Sequence, residues 1–181
     1  MFRDITTDNQ EIYKITVPGD YVFYFENKTN NLIFDIQCED AHVKIYGLYT
    51  CKNSDAFNLH ITQRHSSPNS ISNVLIKSIL YDKSNFNFTG VIDILKEAIN
   101  STANLENYNL LLSDKAHVIT SPQLEVVPNE VNCKHSAKII PLDTAQLNYM
   151  TSRGISIEAA KQLLIDGFTD EILQIKKCLQ K

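Results

Sequence analysis

Cys133 and His135 are the pair in this chain whose types and spacing best suit chemistry. A thiolate and an imidazole both ligate iron, and together they fit an iron-sulfur site better than a hard-cation site. One residue, Lys134, separates them. In an extended segment side chains alternate, so Cys133 and His135 share a face while Lys134 points the other way. Two ligands do not complete a site, so another strand or another subunit would have to supply the rest. The alternative is a buried structural thiol beside a hydrogen-bonded histidine, since free cysteine is among the most buried residue types. Cys38, Cys51 and Cys178 are widely scattered with no C-x-x-C knuckle, which argues against structural zinc and for reduced thiols. His42, His60, His65 and His117 have no partner at ligand spacing and read as ordinary surface or strand residues. Asp114, Glu125, Glu130 and Asp143 could form a glycan-cleaving carboxylate pair only if the fold brought them within a few ångströms. The five glycines are too dispersed for a phosphate-binding loop, so the chain is not itself a nucleotidase.

The elements that must position Cys133 and His135 are short strands. Leu110 to Leu112, His117 to Ile119, Gln123 to Val127 and Glu130 to Cys133 alternate with corners at Ser113-Asp114, Ser121-Pro122 and Pro128-Asn129. Upstream, Ile12 to Val17, Tyr21 to Phe25, Leu32 to Ile36, His42 to Tyr49, Phe57 to Gln63 and Ser72 to Tyr81 keep a similar rhythm, rich in aromatic and β-branched residues. That rhythm fits a sandwich, a barrel or a solenoid. After Leu142 the period becomes helical. Asp143 caps a helix over Thr144 to Ser152 that ends at a left-handed Gly154, and Ser156 opens a second through Leu163 and Leu164. Gly167 either breaks or interrupts that helix, and Thr169-Asp170-Glu171 is a candidate restart.

With 181 residues, 43% apolar and 21% charged, the chain is sized for one folded domain with its own core. A net charge of -4 without a Lys/Arg cluster argues against nucleic acid as a partner. No apolar run approaches the ~18 residues of a membrane span, and the N-terminus lacks a signal core. The expected setting is cytoplasmic and reducing, with no membrane association.

Several motifs occur in a telling order: Phe88-Thr89-Gly90, Leu110-Leu111-Leu112-Ser113, Thr120-Ser121-Pro122-Gln123-Leu124-Glu125, Val131-Asn132-Cys133-Lys134-His135-Ser136-Ala137, Leu142-Asp143, Tyr149, Arg153-Gly154-Ile155 and Gly167-Phe168. Over roughly residues 65 to 175 the chain thereby resembles the SufB/SufD family of iron-sulfur cluster assembly proteins. The resemblance implies a mainly β fold, a right-handed parallel β-helix over residues 1–141 with a short C-terminal helical region over residues 142–181 packed on it as one domain. The first coils would begin near Met1, without the helical N-terminal region of larger members.

The resemblance further implies a component of a cluster assembly complex rather than an enzyme, a SufD-like partner donating Cys133 and His135 to a transient iron-sulfur cluster near a subunit interface. No tightly bound cofactor is expected in the isolated chain. The implied partners are a SufB-like scaffold subunit and a SufC-like ABC-type ATPase, the latter meeting Arg153, Gly154, Ile155, Leu163, Leu164, Gly167 and Phe168; a homodimer is the alternative assembly. Three positions depart from the family pattern. Ala116 stands where the SufB branch has a cysteine, Lys134 and Ser136 stand where that branch has glutamates around its histidine, and Ser136 replaces the usual glycine of the Cys-x-His segment. The absent thiol supports a rival reading, a structural dimerisation module without cluster chemistry. A carbohydrate-active β-helix enzyme is a third, and it requires a groove lined by carboxylates.

Overall fold

A computed structural model describes residues 1–179. Its strands are β1 (Phe2–Asp4), β2 (Ile12–Ile15), β3 (Gly19–Glu26), β4 (Asn30–Ile36), β5 (Ala41–Cys51), β6 (Ala56–His65), β7 (Ile71–Leu80), β8 (Asn85–Ile94), β9 (Thr102–Leu111), β10 (His117–Val126) and β11 (Asn132–Pro141), followed by helices α1 (Thr144–Ser152) and α2 (Ile157–Leu179). The odd strands form a six-stranded sheet and the even strands a five-stranded one, each stacked in chain order. Every pairing is parallel. A chain that alternates between two such sheets winds as a parallel β-helix, which settles the choice among sandwich, barrel and solenoid.

The corners explain how so many turns fit. Asn27, Asp40, Asn53, Asn69, Asp82 and Asn100 all adopt positive φ. Asparagine and aspartate tolerate this left-handed region better than other residues with a side chain. Small buried residues follow several of these corners, including Ala41, Ser70, Ser84 and Ser101.

Inward side chains stack in register. One row runs Tyr21, Val43, Ser72, Ala103, Cys133, and the next runs Phe23, Ile45, Val74, Leu105, His135. Aromatic residues fill the early coils, where Tyr13 stacks on Phe34 with ring centroids 5.1 Å apart and Tyr49 lies 4.4 Å from Phe86. Gly90 belongs to this interior, and a Cβ there would meet Leu105 and Phe88 at 2.7 Å. The Phe-x-Gly motif therefore marks a place where only hydrogen fits beside the phenylalanine ring.

Three expectations from the sequence need correction. The segment from His117 to Val126 is one strand, not two pieces with a corner at Ser121-Pro122. It lies at the edge of the five-stranded sheet, where the missing N–H of Pro122 is tolerated. Leu110 to Leu112 is the end of a strand that starts at Thr102, and β11 starts at Asn132 and runs on to Pro141. Gly167 neither breaks nor interrupts α2, a continuous helix in which Thr169 bonds back to the Ile165 carbonyl at 2.9 Å instead of restarting a helix.

The first helix follows its sequence signals: Asp143 Oδ1 accepts from the N–H groups of Ala145 and Gln146, Arg153 is the C-cap, and Gly154 sits at φ +87. Helix α2 covers the outer face of the six-stranded sheet, not the last coil. Ile165 and Ile172 pack on Tyr24, Leu48, Leu75, Ile79 and Leu110. Two ion pairs fix it there, Lys77 to Glu171 at 2.9 Å and Lys176 to Glu26 at 2.6 Å.

The two ends of the coil differ. At the first, the segment after β1 folds over the opening: Arg3 pairs with Asp8 at 2.5 Å and lies over the Tyr13 ring, while Lys28 donates to the carbonyls of Ile5 and Asp8. At the last, β10 and β11 are edge strands, and among the described residues no further strand stacks on them.

Candidate functional site

The open coil is where Cys133 and His135 lie. Both continue inward rows, Cys133 paired with Ala103 and His135 with Leu105. No coil follows, so side chains that would be core elsewhere are reachable here. Cys133 is half-buried against the core and His135 is exposed. Burial pushes the Cys133 thiol up from its ordinary range, and a bond from the Ala103 backbone pulls partly the other way. Lys134, on the opposite face, pairs with Asn104. A concavity of about 460 Å³ beside the pair is lined by Leu105, Leu124, Cys133 and His135 together with Asn104, Glu106, Lys134 and Ser136.

Among the described residues no third cysteine, histidine or carboxylate joins the two into a metal-binding group. Apolar side chains of the last coil lie exposed beside the pair. Leu124, Val126 and Ile139 continue inward rows of the last coil yet are 44%, 39% and 48% exposed. The arrangement places a thiol and an imidazole together on an edge strand of the last coil.

The departures from the family pattern have simple structural accounts. Ser136 lies in ordinary extended strand and is not among the positive-φ residues, so this position does not require glycine. Ala116 is buried at the corner that leads into β10, and a cysteine there would point into the interior.

The residues expected to meet an ATPase divide between surface and packing. Leu163 is 52% exposed on α2, and Arg153 is exposed with its guanidinium 5.4 Å from the ring centroid of Tyr149, a neighbour outside the expected set that is itself 63% exposed. Gly154 and Gly167 are exposed, and Ile155 and Leu164 are half-buried. Phe168 turns toward the sheet, where its ring lies 5.5 Å from Lys77 Nζ and its carbonyl accepts from that ammonium at 3.0 Å. The structure thus keeps these residues on one helical hairpin without giving them one face.

The four carboxylates sit in different settings, with Glu130 exposed in the turn before β11, where its carbonyl accepts from Asn100 N–H at 2.6 Å. Asp143 is committed to capping α1, Glu125 pairs with Asp93 in the five-stranded sheet, and Asp114 lines a crevice with Leu111, Leu112 and Thr144. The groove required by a glycan-cleaving enzyme does not form from them.

Sequence reasoning passed over the polar groups of the interior. His65 is fully buried between Ser70 Oγ at 2.6 Å and Ser72 Oγ at 2.7 Å, and burial holds its pKa down to about 4. Ser78, Asn107 and Asn109 are likewise fully buried. The Asn-x-Asn spacing, which puts both amides on one strand face, is the signal that could have found the last two.

Comparison with known proteins bears on the family. Residues 22–168 match the family model described as SUF system FeS cluster assembly, SufBD core domain. The iron-sulfur cluster assembly protein SufD of Escherichia coli (strain K12) is 30% identical over 145 residues, which are 80% of this chain and 34% of that protein. A SufBD family protein of Synechocystis is 31% identical over 144 residues, 80% of this chain and 32% of that protein. SufB of Bacillus subtilis (strain 168) is 29% identical over 106 residues, 59% of this chain and 23% of its own length. The matched region therefore spans about a third or less of these relatives. With a family match over most of its length and the parallel β-helix to go with it, the chain belongs to the SufBD family of the SUF iron-sulfur cluster assembly system.

Proposed function

We propose that this chain acts as a non-enzymic, SufD-like subunit of an iron-sulfur assembly complex, in a reducing cytoplasm, lending Cys133 and His135 to a cluster held transiently at its open coil. The observation that carries this reading is their placement, side by side on inward rows at the one end of the β-helix where inward rows meet solvent. The cluster is cargo. A partner must supply the remaining ligands, and a SufB-like scaffold docking its own strands on β10 and β11 would do so while covering the apolar edge. Cluster binding also favours the thiolate: a coordinated iron draws the Cys133 proton off, offsetting the rise that burial imposes. The exposed side of the α1–α2 hairpin, with Tyr149, Arg153 and Leu163, is the surface offered to a SufC-like ABC-type ATPase.

A second reading has an observation of its own. Ala116 fills the position of a cysteine found in the SufB branch, and the raised pKa keeps Cys133 protonated in the free chain, as expected of a purely structural dimerisation module. Anaerobic reconstitution with a SufB-like scaffold and the ATPase separates the two. The ligand reading expects Cys133→Ser and His135→Ala complexes to assemble with wild-type stoichiometry but to hold less iron and sulfide. Wild-type cluster yield in both variants leaves the structural module as the function.

A further inference from the structure

Strand β11 has an unusual problem. The inner face of β11 carries Cys133, His135, Ala137 and Ile139, yet no residue from Asn132 to Pro141 is fully buried, so the burial that would fix its pairing with β9 is weak. Register in a sheet is set chiefly by which residues must be inside, and a slip of one residue would turn Cys133 and His135 to the outer face. Something else has to hold the strand.

The neighbouring coil supplies it from within. Asn107 and Asn109 are inward residues of β9, fully buried, in rows that are otherwise largely apolar: Phe25, Gly47, Ile76, Asn107 in one and Tyr49, Ser78, Asn109, Ile139 in the other. Asn109 Nδ2 donates to Asn107 Oδ1 at 2.7 Å and upward to the Lys138 carbonyl of β11 at 3.1 Å. Its Oδ1 accepts from Ser78 Oγ at 2.6 Å. Asn107 Nδ2 reaches back to the Ile76 carbonyl of β7 at 3.4 Å. Among the described residues, Asn109 is the one side chain that bonds the main chain of β11.

Two leucines would fill such an interior at no desolvation cost, whereas buried amides are tolerated only when their bonds are made. What they add is direction, because a bond to one carbonyl is lost when the strand slips. We propose that Asn107 and Asn109, braced by Ser78, form a register clamp that ties β7, β9 and β11 together and fixes the position of Cys133 and His135 at the open coil. These are positioning residues. The inference rests on the ligand role proposed above for its purpose, but the clamp itself can be read without any cluster.

Hydrogen exchange and alkylation of Cys133 by iodoacetamide, both on the full metal-free chain, test it. Asn109→Leu is expected to keep the cooperative melt while β11 amides exchange roughly tenfold faster, the scale of one lost hydrogen bond, with Cys133 alkylation rising alongside. Asn109→Thr, which is too short to reach the Lys138 carbonyl, should do the same if leucine overpacks the interior. Asn58→Leu, which breaks the exposed Asn87 to Asn58 amide bond of 2.8 Å on the other sheet, should leave β11 unchanged. The clamp is refuted if β11 exchange is unchanged in the Asn109 variants, if Asn58→Leu loosens β11 equally, or if both Asn109 variants lose structure throughout. Reduced cluster yield with unchanged β11 exchange would also refute it, whereas loosened β11 with full cluster yield would refute the ligand role and leave the clamp standing.

Discussion

His65 shows at a single residue what the interior demands. Its imidazole is held neutral by burial between two serine hydroxyls, with a pKa near 4 against an ordinary 6.5. Asp93 pulls the other way but is itself bonded to Arg64 at 2.7 Å, and burial dominates. The unfolded chain takes up the proton as pH falls through about 6.5 while the folded chain refuses it until about 4, so stability should decline across that window and level off below it. The full loss is on the order of 3 kcal/mol. Denaturant unfolding between pH 7 and 4 should show this slope, and His65→Gln should remove it. Cys133 titrates in the opposite direction, and its alkylation should keep rising with pH beyond the range of an ordinary thiol. Neither behaviour could be read from the sequence. Cys133 and His135 announced themselves by type and spacing, but whether an inward row ends in protein or in solvent depends on the number of coils stacked above it.

Among the elements, α2 joins two kinds of surface. Truncating Phe168, which packs on the sheet beside Lys77, should cost about 2 kcal/mol, less than the full value for a completely buried phenylalanine. Leu163→Ala should leave the melting temperature nearly unchanged, and a pull-down with the ATPase should register it if the hairpin docks there. Gly90→Ala tests the interior, since the new methyl would press on Leu105 and Phe88 and should cost roughly 1–3 kcal/mol in thermal denaturation. The early strands were legible because Tyr21 to Phe25 and Leu32 to Ile36 are dense in β-formers between turn residues. Strands β8 and most of β9 were not read as strands, because Asn87, Asn104, Asn107 and Asn109 dilute the apolar signal with amides that form ladders along the sheets or bonds in the interior. Pro122 misled for a related reason. Proline argues for a corner until the strand is known to lie at an edge. The coil repeat also hides in plain sequence, since bonded partners such as Asn58 and Asn87 or Asn73 and Asn104 are 29 and 31 residues apart, a spacing too loose for a strict motif.

For the molecule as a whole, the exposed inner face of the last coil should govern association. Leu124→Lys or Ile139→Lys, each placed at an already exposed position, should weaken the association proposed for this edge, read by sedimentation with and without a SufB-like scaffold, while leaving the melting curve of the chain almost unmoved. The opposite end bears on what such pairing can build. Polymer chemistry distinguishes a unit with one reactive end from a unit with two: the first stops at a pair, the second grows without limit. With Arg3, Asp8 and Lys28 folded over the first coil, pairing through the open coil alone would be monofunctional in that sense. Replacing Arg3 and Lys28 with alanine would open the second end as well, and light scattering should then report larger stacked species than the native protein forms.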